Sequence, residues 1–401
     1  MRRREFFIIV ALLAHLTIMA QKTVVTGVVR SAQTGRPMAQ VNVAATGGGE
    51  AVVTNDDGVF TLKSNRRFSE VVVSYVGYAT QHVKVFNGPL DIRLRPASLQ
   101  LPEVVVWTSK PYELVKAAIG RIPKNYSQKP ELLNCFYRET AMKRQHFIQV
   151  AEGTVDMYKT PYDGYHSNDR VAIRKGRRLL SLKQSDTLGV KVIGGPVQPI
   201  QLDVVKNLDF LLNDDELAHY DFKLLPSEMI DDREQFVVAI SPRYSVDYAL
   251  HFGRFYIDRA TLAFTRVELQ LDMRDAEKAT RYMLYRKPFG VRFRPKELSC
   301  VIDYKRDGDI YRISYIRNTF RFNCDWRRRL FATSFAAVCE LVVTDRAAEA
   351  TPIKGRQSFD SRDAFFDKVD YFRDPDFWRD YNIIEPSESL DRAINKLLKQ
   401  R

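Results

Sequence analysis

Residues 26–49 read TGVVRSAQTGRPMAQVNVAATGGG, residues 54–62 read TNDDGVFTL, and residues 71–85 read VVVSYVGYATQHVKV. Apolar residues recur at every second position in parts of these stretches, and clusters of Gly, Asn, Asp and Ser separate them. This alternation is typical of half-buried strands, and Asn55 to Gly58 supplies residues that tolerate the positive φ of a tight turn. Residues 26–95 therefore predict seven short strands, which form a binding module without a catalytic motif.

These segments, closed by Ile92 to Leu94, resemble the carboxypeptidase-regulatory-like domain. That domain is a transthyretin-like or Ig-like β-sandwich, and it precedes many envelope proteins of Bacteroidota. The resemblance implies an architecture for residues 21–95 and a cell-envelope location for the protein. It implies no activity, because one fold hosts many functions.

The N-terminus has the pattern of an export signal. Residues 2–4 are arginines, residues 6–19 form a short apolar run, and Ala20 and Gln21 follow. A charged start and a short apolar run are features of a secretory signal peptide. We expect cleavage between Ala20 and Gln21, so that residues 1–20 are removed and the exported protein is periplasmic or outer-membrane-associated. The alternative is an uncleaved N-terminal anchor.

Composition restricts the partners of the protein. The chain has 401 residues, of which 45% are hydrophobic and 28% charged, and its formal net charge is +13. This length is sufficient for two domains with ordinary cores, and the basic balance favours acidic surfaces. We expect an envelope protein, a glycan or an anionic lipid as partner, and at most a peripheral association with a membrane. Nucleic acid is not expected, because an exported chain rarely meets it and no recognisable nucleic-acid-binding motif occurs.

The remainder of the chain predicts a linker and a second domain. Residues 96–111, PASLQLPEVVVWTSKP, are Pro-containing and β-rich, and a helix is expected from Pro111 until Pro123 stops it. Residues 147–158 predict one strand, and alternating segments between 252 and 322 predict further strands. They include a hairpin with Asp307-Gly308 as a type I′ turn and with Tyr311, Ile313 and Tyr315 on one face.

The chain ends in a predicted amphipathic helix after Ser387. We therefore expect residues 112–401 to form an α+β domain of unknown function, with a curved antiparallel sheet and covering helices. The whole protein is then mainly β. The FYRET and MYKTPY segments and the C-terminal residues resemble an uncharacterised domain that accompanies the regulatory-like sandwich in many Bacteroidota proteins.

The usual catalytic motifs are absent from the sequence. After residue 20 the chain has five histidines, none of which has a glutamate three residues later, and no HExxH, GxSxG, SxxK or GxxxxGK[ST] motif occurs. The convergent ligands of a zinc peptidase and the commonest hydrolase and NTPase sites are therefore not indicated. We predict no catalytic residue, no metal site and no cofactor, and the chain is not expected to be a functional carboxypeptidase.

Cations and aromatic rings alternate between residues 282 and 296. The cations Arg286, Lys287, Arg292, Arg294 and Lys296 lie among Tyr282, Tyr285, Phe289 and Phe293. Such interleaving is found at carbohydrate and lipid-headgroup sites, and it predicts an anionic-ligand surface. Ordinary strand alternation produces the same pattern, and this is the alternative.

The four cysteines, Cys135, Cys300, Cys324 and Cys339, all lie in the second domain. An oxidising compartment permits disulfides, and the pair that flanks the predicted hairpin, Cys300 and Cys324, is the one we expect. The alternative is that they are free thiols buried as small apolar residues.

Two classes of function follow. The first is a non-enzymatic envelope protein that binds or scaffolds a glycan, a lipid or an outer-membrane partner. A more specific form of it is a LolA-like carrier of lipid or lipoprotein, because FYID followed by LAFTRVEL is similar to strand pairs of such carriers. The second class is an envelope hydrolase. An apolar groove in the structure favours the carrier, whereas a polar cleft with converging carboxylates favours the hydrolase.

Overall fold

The computed structural model describes residues 23–97, 110–162, 168–183, 191–286, 289–326, 332–371 and 377–399. The predicted cleavage site at Ala20 and Gln21 and the predicted surface residue Lys287 lie outside the described residues. Within them, a small N-terminal β-sandwich precedes a large curved sheet that is covered by short helices. The fold class expected from the sequence is therefore confirmed.

Seven strands form the N-terminal sandwich, as predicted. They are β1 (Thr23–Ser31), β2 (Asn42–Ala45), β3 (Ala51–Val53), β4 (Val59–Ser64), β5 (Glu70–Ser74), β6 (Gln81–Lys84) and β7 (Leu90–Leu94). They pair as a three-stranded sheet, β4-β1-β7, and a four-stranded sheet, β3-β2-β5-β6. The two sheets bury a core that includes Val29, Phe60 and Val73, each 0% exposed. The turn before β4 is also as expected, because Gly58 has a φ of +74° and donates its N–H to the carbonyl oxygen of Asn55 at 2.9 Å.

The second domain begins with two helices. Helix α1 (Pro111–Gly120) buries Leu114, Val115 and Ala118, and helix α2 (Ile122–Asn125) follows directly. The expectation that Pro123 ends the first helix is wrong in detail. The helix ends before Pro123, which occupies the first turn of α2. The N–H groups of a first turn have no partner within the helix, so proline costs no hydrogen bond there.

An eleven-stranded sheet forms the body of the second domain. Its strands are β8 (Glu131–Lys143), β9 (His146–Lys159), β10 (Arg170–Leu180), β11 (Tyr220–Ile230), β12 (Arg233–Pro242), β13 (His251–Asp258), β14 (Phe264–Leu271), β15 (Val291–Asp307), β16 (Ile310–Trp326), β17 (Thr333–Arg346) and β18 (Asp370–Tyr371). Their order is β11-β12-β13-β14-β15-β16-β17-β8-β9-β10-β18. Neighbouring strands are antiparallel except β10 and β18, which are parallel. The predicted antiparallel sheet is thus present, and its longest hairpin, β15–β16, lies in the middle.

Four more helices complete the described chain. They are α3 (Gln198–Gln201), α4 (Asp214–Leu217), α5 (Ala276–Met283) and α6 (Glu388–Leu398). In this part of the chain, no helix combines the length and the apolar character needed to cross a membrane.

The two faces of the large sheet have different partners. We call the face that carries Tyr137, Ile302 and Leu341 the inner face, because it packs against α1, residues 191–217 and residues 359–369. We call the opposite face, which carries Phe136 and Tyr315, the outer face. The sandwich and the C-terminal residues cover the outer face. Val53, Trp378, Ile383 and Ile384 pack against Phe136, Tyr315 and Val342 of the sheet. Helix α6 packs against Val150 and Leu179.

The β15–β16 hairpin differs from its prediction in two ways. Its turn residues are Gly308 and Asp309, one position later than expected, and only Gly308 has a positive φ, +64°, so the turn is not of type I′. A β-bulge between Ile313 and Tyr315 adds one residue to β16. Tyr311 and Ile313 therefore contribute to the inner core, whereas Tyr315 lies on the outer face.

The predicted disulfide is wrong, because all four cysteines are buried free thiols. Cys300 lies opposite Asn318, and Cys324 lies opposite Phe293, at the other end of the hairpin. At about 3.3 Å per residue, this places the two thiols roughly 20 Å apart along the strands. A disulfide requires Cα atoms within about 7 Å of each other.

Candidate ligand-binding site

A large cavity lies on the inner face, over strands β15, β16 and β17. Its volume is about 950 Å³. The strands contribute the following residues to its floor: Val291, Phe293, Phe320, Phe322, Cys324 and Ala337. The opposite wall is formed by α5, the residues after it, and residues 191–198, and includes Ile193, Met283 and Leu284. The cavity is therefore mainly apolar.

Strand alternation after the bulge explains the apolar floor. From Asn318 onward, every second side chain of β16 points to the inner face, which places Phe320, Phe322 and Cys324 there. Phe293 of β15 lies opposite Cys324, and its ring centroid is 4.8 Å from that of Phe322. Ala337 of β17 lies opposite Phe320. A small side chain at Ala337 leaves space above the sheet that the larger neighbours line.

Helix α5 covers one side of this floor. Asp275 caps its N-terminus by accepting hydrogen bonds from the N–H groups of Glu277 and Lys278, at 3.0 and 3.1 Å. Ala279, which is 0% exposed, packs the helix against Leu271. The C-terminal end of α5 then brings Tyr282 and Met283 to the cavity.

Residues 191–217, which we call the cover segment, form the other side. Gly195 has a φ of +43°, and a Cβ atom there would lie 2.8 Å from Cβ of Phe365, so only glycine fits. A buried cluster fixes the segment to the sheet: Lys159 Nζ donates to Asp203 at 2.7 Å, and the hydroxyls of Tyr162 and Tyr304 donate to the same carboxylate at 2.8 and 2.7 Å. Because Asp203 is 0% exposed and already accepts three hydrogen bonds, we assign this cluster a structural role.

The rim of the large cavity is cationic and aromatic. Lys191, Arg281 and Arg286 line it, and no Asp or Glu occurs among its described lining residues. Lys191 is paired with Asp367 at 2.7 Å. Beside Arg286, Tyr285 is 87% exposed and Phe289 is fully exposed. Exposed rings next to guanidinium groups are typical of surfaces that meet lipid headgroups.

A smaller cavity of about 320 Å³ adjoins the large one. The two share four lining residues, namely Gln198, Tyr282, Met283 and Phe320. The smaller cavity also contains Asn318, Cys300 and His251. Burial lowers the pKa of His251 to about 4, so its imidazole is neutral at neutral pH.

The thiols that line the cavities are not activated as nucleophiles. Burial raises the pKa of Cys300 to about 12 and that of Cys324 to about 11, so both thiols are protonated and weak nucleophiles at neutral pH. The described lining residues of both cavities include no carboxylate. In the described part of the chain, no three His, Cys, Asp or Glu side chains lie close enough together to hold a metal ion. The arrangement is suited to binding an apolar molecule.

The structure separates the cations that the sequence grouped as an anionic-ligand surface. Arg286 lines the large cavity. Arg292 and Arg294 alternate with Val291 and Phe293 and are exposed on the outer face, where Arg294 pairs with Asp325. Lys296 is the extra residue of a second bulge in the β15–β16 hairpin, this one in β15, and it is also exposed. Of the four described cations, only Arg286 lines the large cavity.

Sequence reasoning missed Gln198 and Asn318. Gln198 lies in a segment without a clear period, so no pattern pointed to it. Asn318 had a signal, because it is a polar residue in phase with the apolar series Phe320, Phe322 and Cys324. The face that this series occupies depends on the bulge that moves Tyr315 to the outer face, and the sequence does not reveal that bulge.

Comparison with known proteins bears on the N-terminal domain. Residues 25–106 match the family model of the CarboxypepD_reg-like domain, which confirms the resemblance stated for the sandwich. The match extends into the segment predicted as a linker. At the start of that segment the structure agrees with this extension, because the N–H of Ala97 donates to the carbonyl oxygen of Gly77 in the sandwich at 2.9 Å. No curated protein matches the chain.

Several solved structures show a distant likeness to the chain. A DUF1329 family protein from Desulfovibrio piger is 11% identical, with a TM-score of 0.27, over 59% of this chain and 94% of that one. A protein from Vibrio parahaemolyticus that is described as an outer membrane lipoprotein-sorting protein domain is 12% identical, with a TM-score of 0.30, over 61% of this chain and 94% of that one. A LolA superfamily protein from Nitrosomonas europaea is 11% identical, with a TM-score of 0.21, over 58% and 94%. Likenesses this low assign no function to this chain.

Proposed function

We propose that this protein is a non-enzymatic carrier of an acyl chain with an anionic head group in the cell envelope. One observation supports this most directly: an apolar cavity of about 950 Å³ has a cationic rim and no carboxylate among its described lining residues. The acyl chain lies over Phe293, Phe320 and Phe322, and the head group meets Arg281 and Arg286. Ligand pockets commonly have volumes of about 300 to 1,000 Å³.

The apolar floor accounts for affinity. Each buried methylene contributes about 0.8 kcal/mol, so about ten methylenes contribute roughly 8 kcal/mol before the entropy of association is subtracted. The rim accounts for preference, because a carboxylate or phosphate at Arg286 gains a favourable charge interaction that salt weakens. Tyr285, which lines the large cavity and is 87% exposed, is placed to contact a membrane surface while the ligand is exchanged.

The two alternatives from the sequence are less well supported. A hydrolase requires a nucleophile and a base, or paired carboxylates, at a cleft. Neither cavity has a described carboxylate, and the thiols of Cys300 and Cys324 are protonated at neutral pH. A pure scaffold would not need a cavity of this size on the inner face.

The envelope location is part of the proposal. It is supported by the match of residues 25–106 to the CarboxypepD_reg-like domain and by the export pattern of residues 1–20. Intact-mass measurement of native protein checks it. A mass equal to that of residues 21–401 agrees with export, and a mass equal to that of residues 1–401 contradicts cleavage.

A direct binding experiment tests the carrier function. Stearic acid is titrated against the full-length mature protein in competition with a fluorescent fatty acid, at low and at high salt. We expect saturable binding that weakens as salt rises. Methyl stearate, which lacks the charge, is the matched control, and its affinity is expected not to depend on salt. The absence of saturable binding of either compound at low salt would contradict the proposal.

A further inference from the structure

Two residues that line the smaller cavity carry buried amide atoms without hydrogen-bond partners. Asn318 is 1% exposed, and neither its Nδ2 nor its Oδ1 has a partner among the described residues. Oε1 of Gln198, which lines the same cavity, is also buried without a partner there, whereas its Nε2 donates to the carbonyl oxygen of Ile193 at 2.7 Å. Buried polar groups in native proteins are nearly always paired. Two residues that line one cavity and carry three unpaired amide atoms therefore indicate a polar ligand group beside them.

The surroundings of Asn318 exclude a charged ligand group. The described residues that line the smaller cavity include no Lys, Arg, Asp or Glu. His251 is neutral, and the thiol of Cys300, which lies opposite Asn318, is protonated. A carboxylate or phosphate in this cavity would lose its hydration without gaining a counter-charge. A neutral group that forms hydrogen bonds would not.

We propose that the smaller cavity binds a hydroxyl group carried on the acyl chain, and that Asn318 and Gln198 determine this specificity. A hydroxyl both accepts and donates, so it can pair with two of these three atoms, by accepting from Nδ2 of Asn318 and donating to Oε1 of Gln198. The inference rests on the proposed carrier function, because the chain reaches Asn318 through the large cavity. The residues shared by both cavities, Gln198, Tyr282, Met283 and Phe320, make that path continuous.

The length of the path fits one acyl chain. Asn318 and Cys324 line the two cavities at positions six residues apart on β16, which is about 20 Å at about 3.3 Å per residue. Half of a bilayer hydrocarbon core, the depth that one acyl chain fills, is about 15 Å. The two lengths are similar, so a chain whose head group lies at Arg286 reaches Asn318 only near its methyl end, and the hydroxyl is expected there.

Calorimetric titration of full-length protein with three ligands tests this inference. The ligands are stearic acid, stearic acid hydroxylated at mid-chain, and stearic acid hydroxylated near its methyl end. We expect at least one hydroxylated acid to bind about ten-fold more tightly than stearic acid, because an unmatched chain leaves the amides unpaired. Asn318→Leu is expected to abolish this preference while it retains the binding of stearic acid. The matched control is Asn323→Leu, which lies on the same strand and the outer face.

Each outcome of the titration decides the inference. A preference that disappears in Asn318→Leu and persists in Asn323→Leu supports it. Equal binding of all three acids, or a preference that survives Asn318→Leu, overturns it and leaves the carrier function standing. Binding of none of the three overturns both. Thermal unfolding of the ligand-free variants adds a check, because removal of an unpaired amide is expected to raise the midpoint of Asn318→Leu above that of the wild type.

Discussion

Arg292 and Phe293 are neighbours in the chain, yet their side chains lie on opposite faces of the large sheet. Phe293 lines the large cavity, and Arg292 is exposed on the outer face. The period of two in a strand makes this separation unavoidable. A surface that appears continuous in sequence is therefore divided between two sides of the molecule, and only the side of Phe293 belongs to the candidate site.

Filling the large cavity should block ligand binding. Ala337, which is 1% exposed, contributes to the cavity floor, so Ala337→Phe places a ring where the acyl chain would lie. We expect affinity for a fluorescent fatty acid to fall by about ten-fold or more, since roughly two methylenes of burial account for such a change. The control, Ala336→Phe, changes the neighbouring residue on the outer face. Unchanged affinity of Ala337→Phe, in protein with wild-type circular dichroism, would remove the cavity from the account.

The cationic rim should contribute to binding of anionic membranes. Arg286 and Arg292 are both exposed arginines, but only Arg286 lines the cavity. We expect Arg286→Gln to weaken binding to anionic vesicles by about five-fold at low salt, which corresponds to about 1 kcal/mol per cation at a membrane surface. Arg292→Gln should have a smaller effect, and co-sedimentation with vesicles measures both. An equal loss in the two variants would mean that net charge, and not the rim, controls binding.

Part of this arrangement could be predicted from the sequence, because local patterns encode it. The seven strands of the sandwich, strand β9, and the apolar face of α6 all follow from periodicity and turn residues. The bulges at Ser314 and Lys296 could not be predicted, because an inserted residue reverses the phase of every later side chain without a clear compositional signal. The cover segment escaped prediction because its conformation depends on contacts between residues that are distant in the chain, namely Gly195 with Phe365 and Asp203 with Tyr304.

Stability should depend on the protonation of Glu139. Burial raises the pKa of this carboxyl to about 8, although the hydroxyl of Tyr137 donates to it at 2.8 Å. Its folded-state pKa therefore exceeds the ordinary value of 4.5, so the stabilisation is fully present below pH 4.5 and is lost as pH rises toward 8. We expect the free energy of unfolding to fall by up to about 1.4 kcal/mol per pH unit in this window. Denaturant titrations across pH measure it.

Two variants identify the source of this pH dependence. Glu139→Gln should flatten the decline between pH 4.5 and pH 8, because a neutral amide replaces the titrating group. Glu113→Gln, which changes an exposed residue of α1, should leave the decline intact. A decline that persists in Glu139→Gln would show that another group is responsible.

The cysteines should behave as protected thiols. All four are buried, with exposures of 1 to 7%, and burial raises the pKa of Cys300 to about 12. We expect slow alkylation of native protein and four alkylated thiols after denaturation without a reductant. Peptide mapping under non-reducing conditions counts them, and any linked pair of peptides would contradict the positions that the strands give to these residues.

The central claim is that an acyl chain lies on the inner face over β15, β16 and β17, and photo-crosslinking tests it most directly. Full-length protein is labelled with a photoactivatable stearic acid, with and without excess stearic acid, and the labelled positions are mapped by mass spectrometry. The account predicts competable labels on the cavity floor, at Phe293, Phe320, Phe322 or Ala337. Labels confined to the outer face or to the sandwich, or labelling that excess stearic acid does not reduce, would contradict it.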